Sequence, residues 1–279
     1  MKTKYTLAAL LLLGGGALTA TAQTVTAGLN DLVLGFYASG GTGAGSNLEV
    51  DLGNVGNFYG VSGTITLAGL SAADLSSTYG SSWNTRTDLY WGVVGTTGAN
   101  TGTTIGSNSI ASKTLWGSKA ETTLGLQSTA WNAGTTFAQQ GPANTIATLY
   151  TGALASLGGA TATGNSATAA VLNNTLAGSW SKQLGSTAAA FGYFNPSGVF
   201  NNGTNISLGG VVTSDLYQLQ PGSGTGVYVG TFALSSGGAL TYSNTPSSVP
   251  EPSTYAAILG VVTLGFVALR RRQQKQAAS

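Results

Sequence analysis

The chain has no cysteine and no histidine. Without thiols no disulfide can staple the fold, whatever the redox state of its compartment. Without imidazoles or thiolates, the usual Ser-His-Asp and Cys-His triads and the common zinc sites are excluded. Charge is scarce as well, since only 6% of the residues are Asp, Glu, Lys or Arg. Nucleophile elbow, phosphate loop and dinucleotide fingerprint are all missing. Ser179-Trp180-Ser181-Lys182 has the form Ser-x-x-Lys, but neither Ser-Asp-Asn nor Lys-Thr-Gly accompanies it, so it reads as a chance match in a Ser-rich chain. The expectation from these absences is a protein that is not an enzyme, with no catalytic residues, no cofactor and no metal.

Glycine is abundant, with 43 residues, and five Trp, eleven Tyr and eight Phe are scattered through the chain. Disorder calls for high net charge and few aromatic or β-branched residues, which is the opposite composition. The formal charge of +2 and pI of 8.8 suggest at first an anionic partner. Yet Lys2, Lys4, Arg270, Arg271, Arg272 and Lys275 lie at the two ends. Between Gln23 and Ser248 four basic residues face seven acidic ones, a net of −3. No basic patch interleaved with aromatics exists there, so nucleic acid is not a partner.

Both ends read as targeting segments. Lys2 and Lys4 form a positive n-region, Leu7 to Leu13 open an apolar stretch that continues to Leu18, and Ala20-Thr21-Ala22 offers small residues for cleavage. This predicts a signal peptide over 1–22 and a mature start at Gln23. At the other end, Pro250 and Pro252 fix φ and remove two backbone donors, so Val249 to Thr254 is extended. Tyr255 to Leu269 is uncharged; as a helix it would span roughly 22 Å, short of the ~30 Å hydrocarbon core. Arg270, Arg271 and Arg272 then stay on the cytoplasmic side, which puts the preceding body across the membrane.

Val249 to Arg272 resembles the PEP-CTERM sorting signal of Gram-negative bacteria. The resemblance rests on Pro250-Glu251-Pro252, the adjoining Val249, Ser253 and Thr254, the apolar helix and the Arg270–Arg272 cluster. It implies export by the Sec machinery, transient anchoring in the inner membrane and processing by an exosortase-type enzyme. It also implies a cell-surface or extracellular destination in organisms that make exopolysaccharide. Two body passages, "DLVLGFY…NLEVDLGN" from Asp31 and "DLYQLQPGSGTGVYVGTFALSSGGALTY" from Asp215, are similar to stretches common in such proteins.

Residues 23–242 are expected to form the exported body, 243–248 a linker, 249–272 the sorting signal and 273–279 a cytoplasmic tail. Strands are predicted over 31–37, 48–52, 64–67, 87–94, 113–116, 214–219, 227–234 and 239–243. Ser71 caps a short helix over 72–79 with Asp74 in its first turn. Apolar residues at helical spacing predict two more helices, over 145–157 and 167–184. The fold class is therefore mainly β, an antiparallel β-sandwich-like body with a helical insertion near 145–184.

Two sets of residues could hold a ligand. Glu49 and Asp51 lie on one face of a strand, about 7 Å apart, and could do acid/base chemistry or hold Ca²⁺ with Asn47 or Asn54. A solvated strand face is the favoured reading. Trp83 and Trp131 sit in polar, loop-like context and could stack on sugar rings. The functional expectation is a structural or interaction protein tied to exopolysaccharide or biofilm. The alternatives are a carbohydrate-binding module and, behind it, a carboxylate-based glycoside hydrolase.

Overall fold

Asp31–Ala38 (DLVLGFYA) and Ser46–Asn54 (SNLEVDLGN) alternate side chains between two faces and pair as antiparallel strands β1 and β2. In the computed structural model, residues 23–121, 125–150, 156–183 and 212–245 are described. The expected signal peptide, sorting signal, apolar helix and cytoplasmic tail lie outside them, as do residues 246–248 of the linker. Further strands are β3 (Thr64–Leu67), β4 (Leu89–Thr96), β5 (Thr103–Ile105), β6 (Asn108–Ile110) and β7 (Leu115–Ala120). They continue with β8 (Ala169–Asn173), β9 (Val212–Leu219), β10 (Val227–Leu234) and β11 (Leu240–Ser243).

Nine of these strands join in one antiparallel sheet of order β3-β11-β10-β9-β7-β4-β1-β2-β8, and β5 with β6 forms a separate hairpin. The expected sandwich of two facing sheets is thus replaced by a single sheet that curls into a half-barrel. Curling lets strands far apart in the order share one inner core: Leu34 and Phe36 of β1, Trp91 of β4, Trp116 of β7, and Phe232 and Tyr242 of β10 and β11. A 3-10 turn at Val55–Phe58 plugs that concave side, where the Tyr242 hydroxyl donates to the Phe58 carbonyl at 3.0 Å. Helix α1 (Ala72–Tyr79), capped by Ser71 as expected, closes one end. Its Tyr79 hydroxyl accepts from the Leu48 N–H at 2.9 Å and donates to the Phe36 carbonyl at 2.7 Å, tying the helix to the β1–β2 hairpin.

The outer face carries a second core of Val33, Val94, Leu115, Leu172, Trp180 and Leu219 with residues of the covering segments. Helix α2 (Thr136–Ala147) lies over it, starting at Thr135, whose hydroxyl oxygen accepts from the Ala138 N–H. The helical insertion near 145–184 is therefore not realised as expected. Helix α2 begins nine residues early, residues 148–150 form turns, and 169–173 is a strand, followed by the one-turn α3 (Trp180–Gln183). In β8 the alternation of Ala170 and Leu172 against Val171 suits an edge strand, and pairing from Ser46↔Asn173 to Val50↔Ala169 satisfies the backbone of β2. Asn173 then ends the strand, its Oδ1 accepting from the Thr175 N–H and hydroxyl.

Candidate functional site

On β2 the faces divide as the alternation demands. Leu48 and Val50 enter the inner core, while Asn47, Glu49 and Asp51 project to the outer face. That face is not solvated. Glu49 is wholly buried and Asp51 is 9% exposed. The cover is the segment that opens α3: the Trp180 N–H donates to Glu49 Oε1 at 2.5 Å, and the Ser181 N–H and hydroxyl donate to Asn47 Oδ1 at 3.0 and 2.8 Å. The Trp180 ring lies flat against Gly35 of β1, so close that a Cβ at residue 35 would fall 1.9 Å from it.

Burial pushes the Glu49 carboxyl well above its usual range, partly opposed by the Trp180 N–H, and its Oε2 has no hydrogen-bond partner. Burial also raises Asp51 to about 6, with the nearby Asp31 adding to the effect and the Gly53 N–H opposing it. The calcium arrangement is not assembled, because Asn47 Oδ1 accepts from Ser181 and Asn54 Oδ1 accepts from the Gly56 N–H to cap the turn. Among the described residues no three of His, Cys, Asp or Glu gather as metal ligands. An acid/base role for Glu49 and Asp51 lacks the access that substrate requires.

The two tryptophans separate. Trp83 is 3% exposed and belongs to the inner core, so it is not a stacking platform. Trp131 is half-buried at the rim of the outer core, with the Lys119 ammonium 4.4 Å above its ring. Ser179 of the Ser-x-x-Lys match donates its hydroxyl to the Leu176 carbonyl at 2.8 Å, a local turn contact. The sorting-signal residues Val249 to Thr254 and Arg270 to Arg272, and Ala20 and Ala22, lie outside the described residues. Gln23 is described, and its carbonyl accepts from the Ala162 N–H at 2.7 Å.

A second pair of carboxyls, not singled out by the sequence, sits on the outer face at the other half of the sheet. Asp215 of β9 is fully buried and accepts from the Thr231 hydroxyl at 2.6 Å and the Ser128 N–H at 2.5 Å. Glu121 accepts from the Thr213 hydroxyl and the Gly125 N–H, both at 2.6 Å. Burial raises the Glu121 carboxyl, the hydrogen bonds from Thr213 and Gly125 oppose the rise, and the nearby Asp215 adds to it. Together they pin the segment around 125–128 to the sheet. Arg86 does similar work at the far hairpin. It pairs with Asp88 through Nε and Nη2 at 2.8 and 2.7 Å, and donates to the Gly40, Thr42 and Tyr79 carbonyls.

One of the open spaces among the described residues has polar lining groups that the fold does not all take up. A cavity of about 360 Å³ lies where the β5–β6 hairpin meets the C-terminal end of β9. Ile105 and Ile110 form its apolar wall, and Tyr59, Asn108, Ser109, Gln218 and Gln220 are among its polar residues. Trp116 Nε1 donates to the Tyr59 hydroxyl at 2.9 Å, and that hydroxyl lies 2.6 Å from Gln218 Oε1. Burial lifts the Tyr59 phenol to about 12, so it remains a donor at neutral pH. A faint signal of this place exists in the sequence: Leu216, Gln218 and Gln220 share one strand face, so polar amides follow an apolar residue on the inner side.

Residues 248–272 match the family described as the PEP-CTERM protein-sorting motif. No curated protein matches the chain, and no solved structure does. The matched stretch holds Val249 to Thr254 and Arg270 to Arg272, the residues that carry the resemblance in the sequence.

Proposed function

We propose, from the premise that the chain carries a PEP-CTERM sorting motif, that it is an exported structural or interaction protein of the cell surface or extracellular matrix. In this reading an exosortase-type enzyme recognises the tail and removes it after the Sec machinery has delivered the body across the inner membrane. The match over residues 248–272 carries the reading. The body supports it in two ways. Gln23 is already hydrogen-bonded to Ala162, and β11 ends at Ser243, so the described body lies between the two expected cuts. The buried carboxylates are also engaged in holding covering segments on the sheet: Glu49 holds the start of α3, and Asp215 with Glu121 holds the segment at 125–128.

Exopolysaccharide is the partner class this reading favours, because proteins bearing such a tail travel in polysaccharide-producing cells. Fractionation of cells with and without the sorting enzyme tests the proposal. The body should reach the surface or medium only when the enzyme is present and Pro250-Glu251-Pro252 is intact. Equal release from cells lacking the enzyme, or from a variant with all three replaced by Ala, would refute it.

A further inference from the structure

Among the described residues, the cavity between the β5–β6 hairpin and the end of β9 combines a small apolar patch with polar groups of no net charge. Trp116 Nε1 can only donate, so the Tyr59 hydroxyl must accept from it and spend its own proton elsewhere. The acceptor in reach is the Gln218 amide, 2.6 Å away. This order of donors fixes which way round the amide sits: its oxygen faces Tyr59, which keeps its two N–H donors out of that contact, on a residue that lines the cavity. Gln218 is 8% exposed, so its position is held by the fold before any ligand arrives. Around it Gln220, Asn108 and Ser109 add further amides and a hydroxyl, each able to donate and accept. Ile105 and Ile110, 8% and 4% exposed, offer a small apolar surface.

We propose that this cavity is a binding site for one or two neutral sugar units. Vicinal hydroxyls donate and accept at once, which is what a side-chain amide matches in a bidentate contact, and the C–H face of a pyranose suits the Ile105–Ile110 wall. A volume of about 360 Å³ is at the small end of the range for ligand pockets, roughly 300–1,000 Å³. With no Lys or Arg in the lining, a uronate or phosphate gains no partner. The site deepens the interaction role proposed above and rests on it only for its biological setting.

The test is saturation-transfer difference NMR on the full chain, purified in a detergent without a sugar headgroup. The probes are glucose, galactose, mannose and N-acetylglucosamine with their β1,4-linked disaccharides, and glucuronate and tri-alanine serve as controls. At least one neutral sugar should receive transfer, strongest at ring C–H protons. Asn108→Ala and Gln220→Ala, both at accessible positions, should each weaken binding roughly threefold to tenfold, the effect of losing one ordinary hydrogen bond, with melting temperature unchanged. Tyr59→Phe, which releases the Gln218 amide to rotate, should weaken it as well. Absence of transfer to every neutral probe at about 10 mM, above the millimolar range expected of so small a site, would overturn the assignment. So would equal transfer to glucuronate or tri-alanine, or binding indifferent to Asn108→Ala and Gln220→Ala. Because binding is read on purified protein, a failure here is distinct from a failure of export or sorting.

Discussion

Replacing Glu49 by Gln removes a proton from the centre of the outer core, and the consequence is a pH-dependent change in stability. In the fold the carboxyl is fully buried, accepts one N–H from Trp180, and leaves Oε2 unpartnered, so burial raises it well above its ordinary value of 4.5. The unfolded chain releases this proton near 4.5 while the folded chain keeps it. From there upward the unfolded state binds fewer protons, and stability falls by about 1.4 kcal/mol per pH unit until the folded value is reached. Glu49→Gln has no proton to lose. At pH 5 the variant should be less stable than the natural protein, because the amide buries two N–H donors without acceptors where the protonated acid buries one O–H, at a cost of about 1–3 kcal/mol. Between pH 5 and 7 that gap should shrink steadily, because the natural protein loses stability as the pH rises towards the raised folded value and the variant does not. Asp51, raised to about 6, titrates in both proteins and cancels from the difference. Urea unfolding at pH 5, 6 and 7 reads the gap directly. A gap that stays constant or widens would refute the claim that Glu49 is protonated in the fold.

Gly35→Ala should destabilise by about 1–3 kcal/mol, since its Cβ would meet the Trp180 ring at 1.9 Å and force the α3 segment to shift; an unchanged denaturation midpoint would contradict this packing. Arg86→Lys should loosen the 39–45 loop, seen as faster amide exchange there, because an ammonium cannot keep the two-point contact with Asp88 and the three carbonyl contacts together. Asp215→Ala strips acceptors from the Thr231 hydroxyl and the Ser128 N–H and should cost about 2–4 kcal/mol, with exchange rising first at 125–131; protection unchanged in that segment would rule out its pinning role.

The parts of this fold legible in the sequence are those set by neighbours along the chain. The alternation of Leu48 and Val50 with Glu49 and Asp51, the Ser71 cap and the β10–β11 hairpin with its turn at Ser235 to Gly238 all appear where local pattern places them. What decides the fate of Glu49 is a peptide N–H 131 residues away, and no local pattern carries that contact. The same holds for Trp83, whose polar neighbours suggest a loop while the curled sheet makes it core. Leu172, Leu176 and Trp180 recur at helical spacing, yet the open backbone of β2 draws 169–173 into a strand, a tertiary demand that outweighs periodicity. The neutral cavity depends on the Tyr59–Gln218 contact, with a separation of 159 residues, and only the faint amide alternation on β9 hints at it.

The tail belongs to a different kind of information, because it is read as a linear signal and not through packing. Its Pro-Glu-Pro step, apolar run and arginine cluster sit in one short stretch, and the sorting-motif match falls on the same residues. Intact mass analysis of the protein recovered from the cell surface or medium tests the central claim most directly. A species that starts at Gln23 and lacks Arg270, Arg271 and Arg272, formed only in cells holding the sorting enzyme, is the expected result. Released protein that still carries the three arginines, or the same truncated mass without the enzyme, would contradict it.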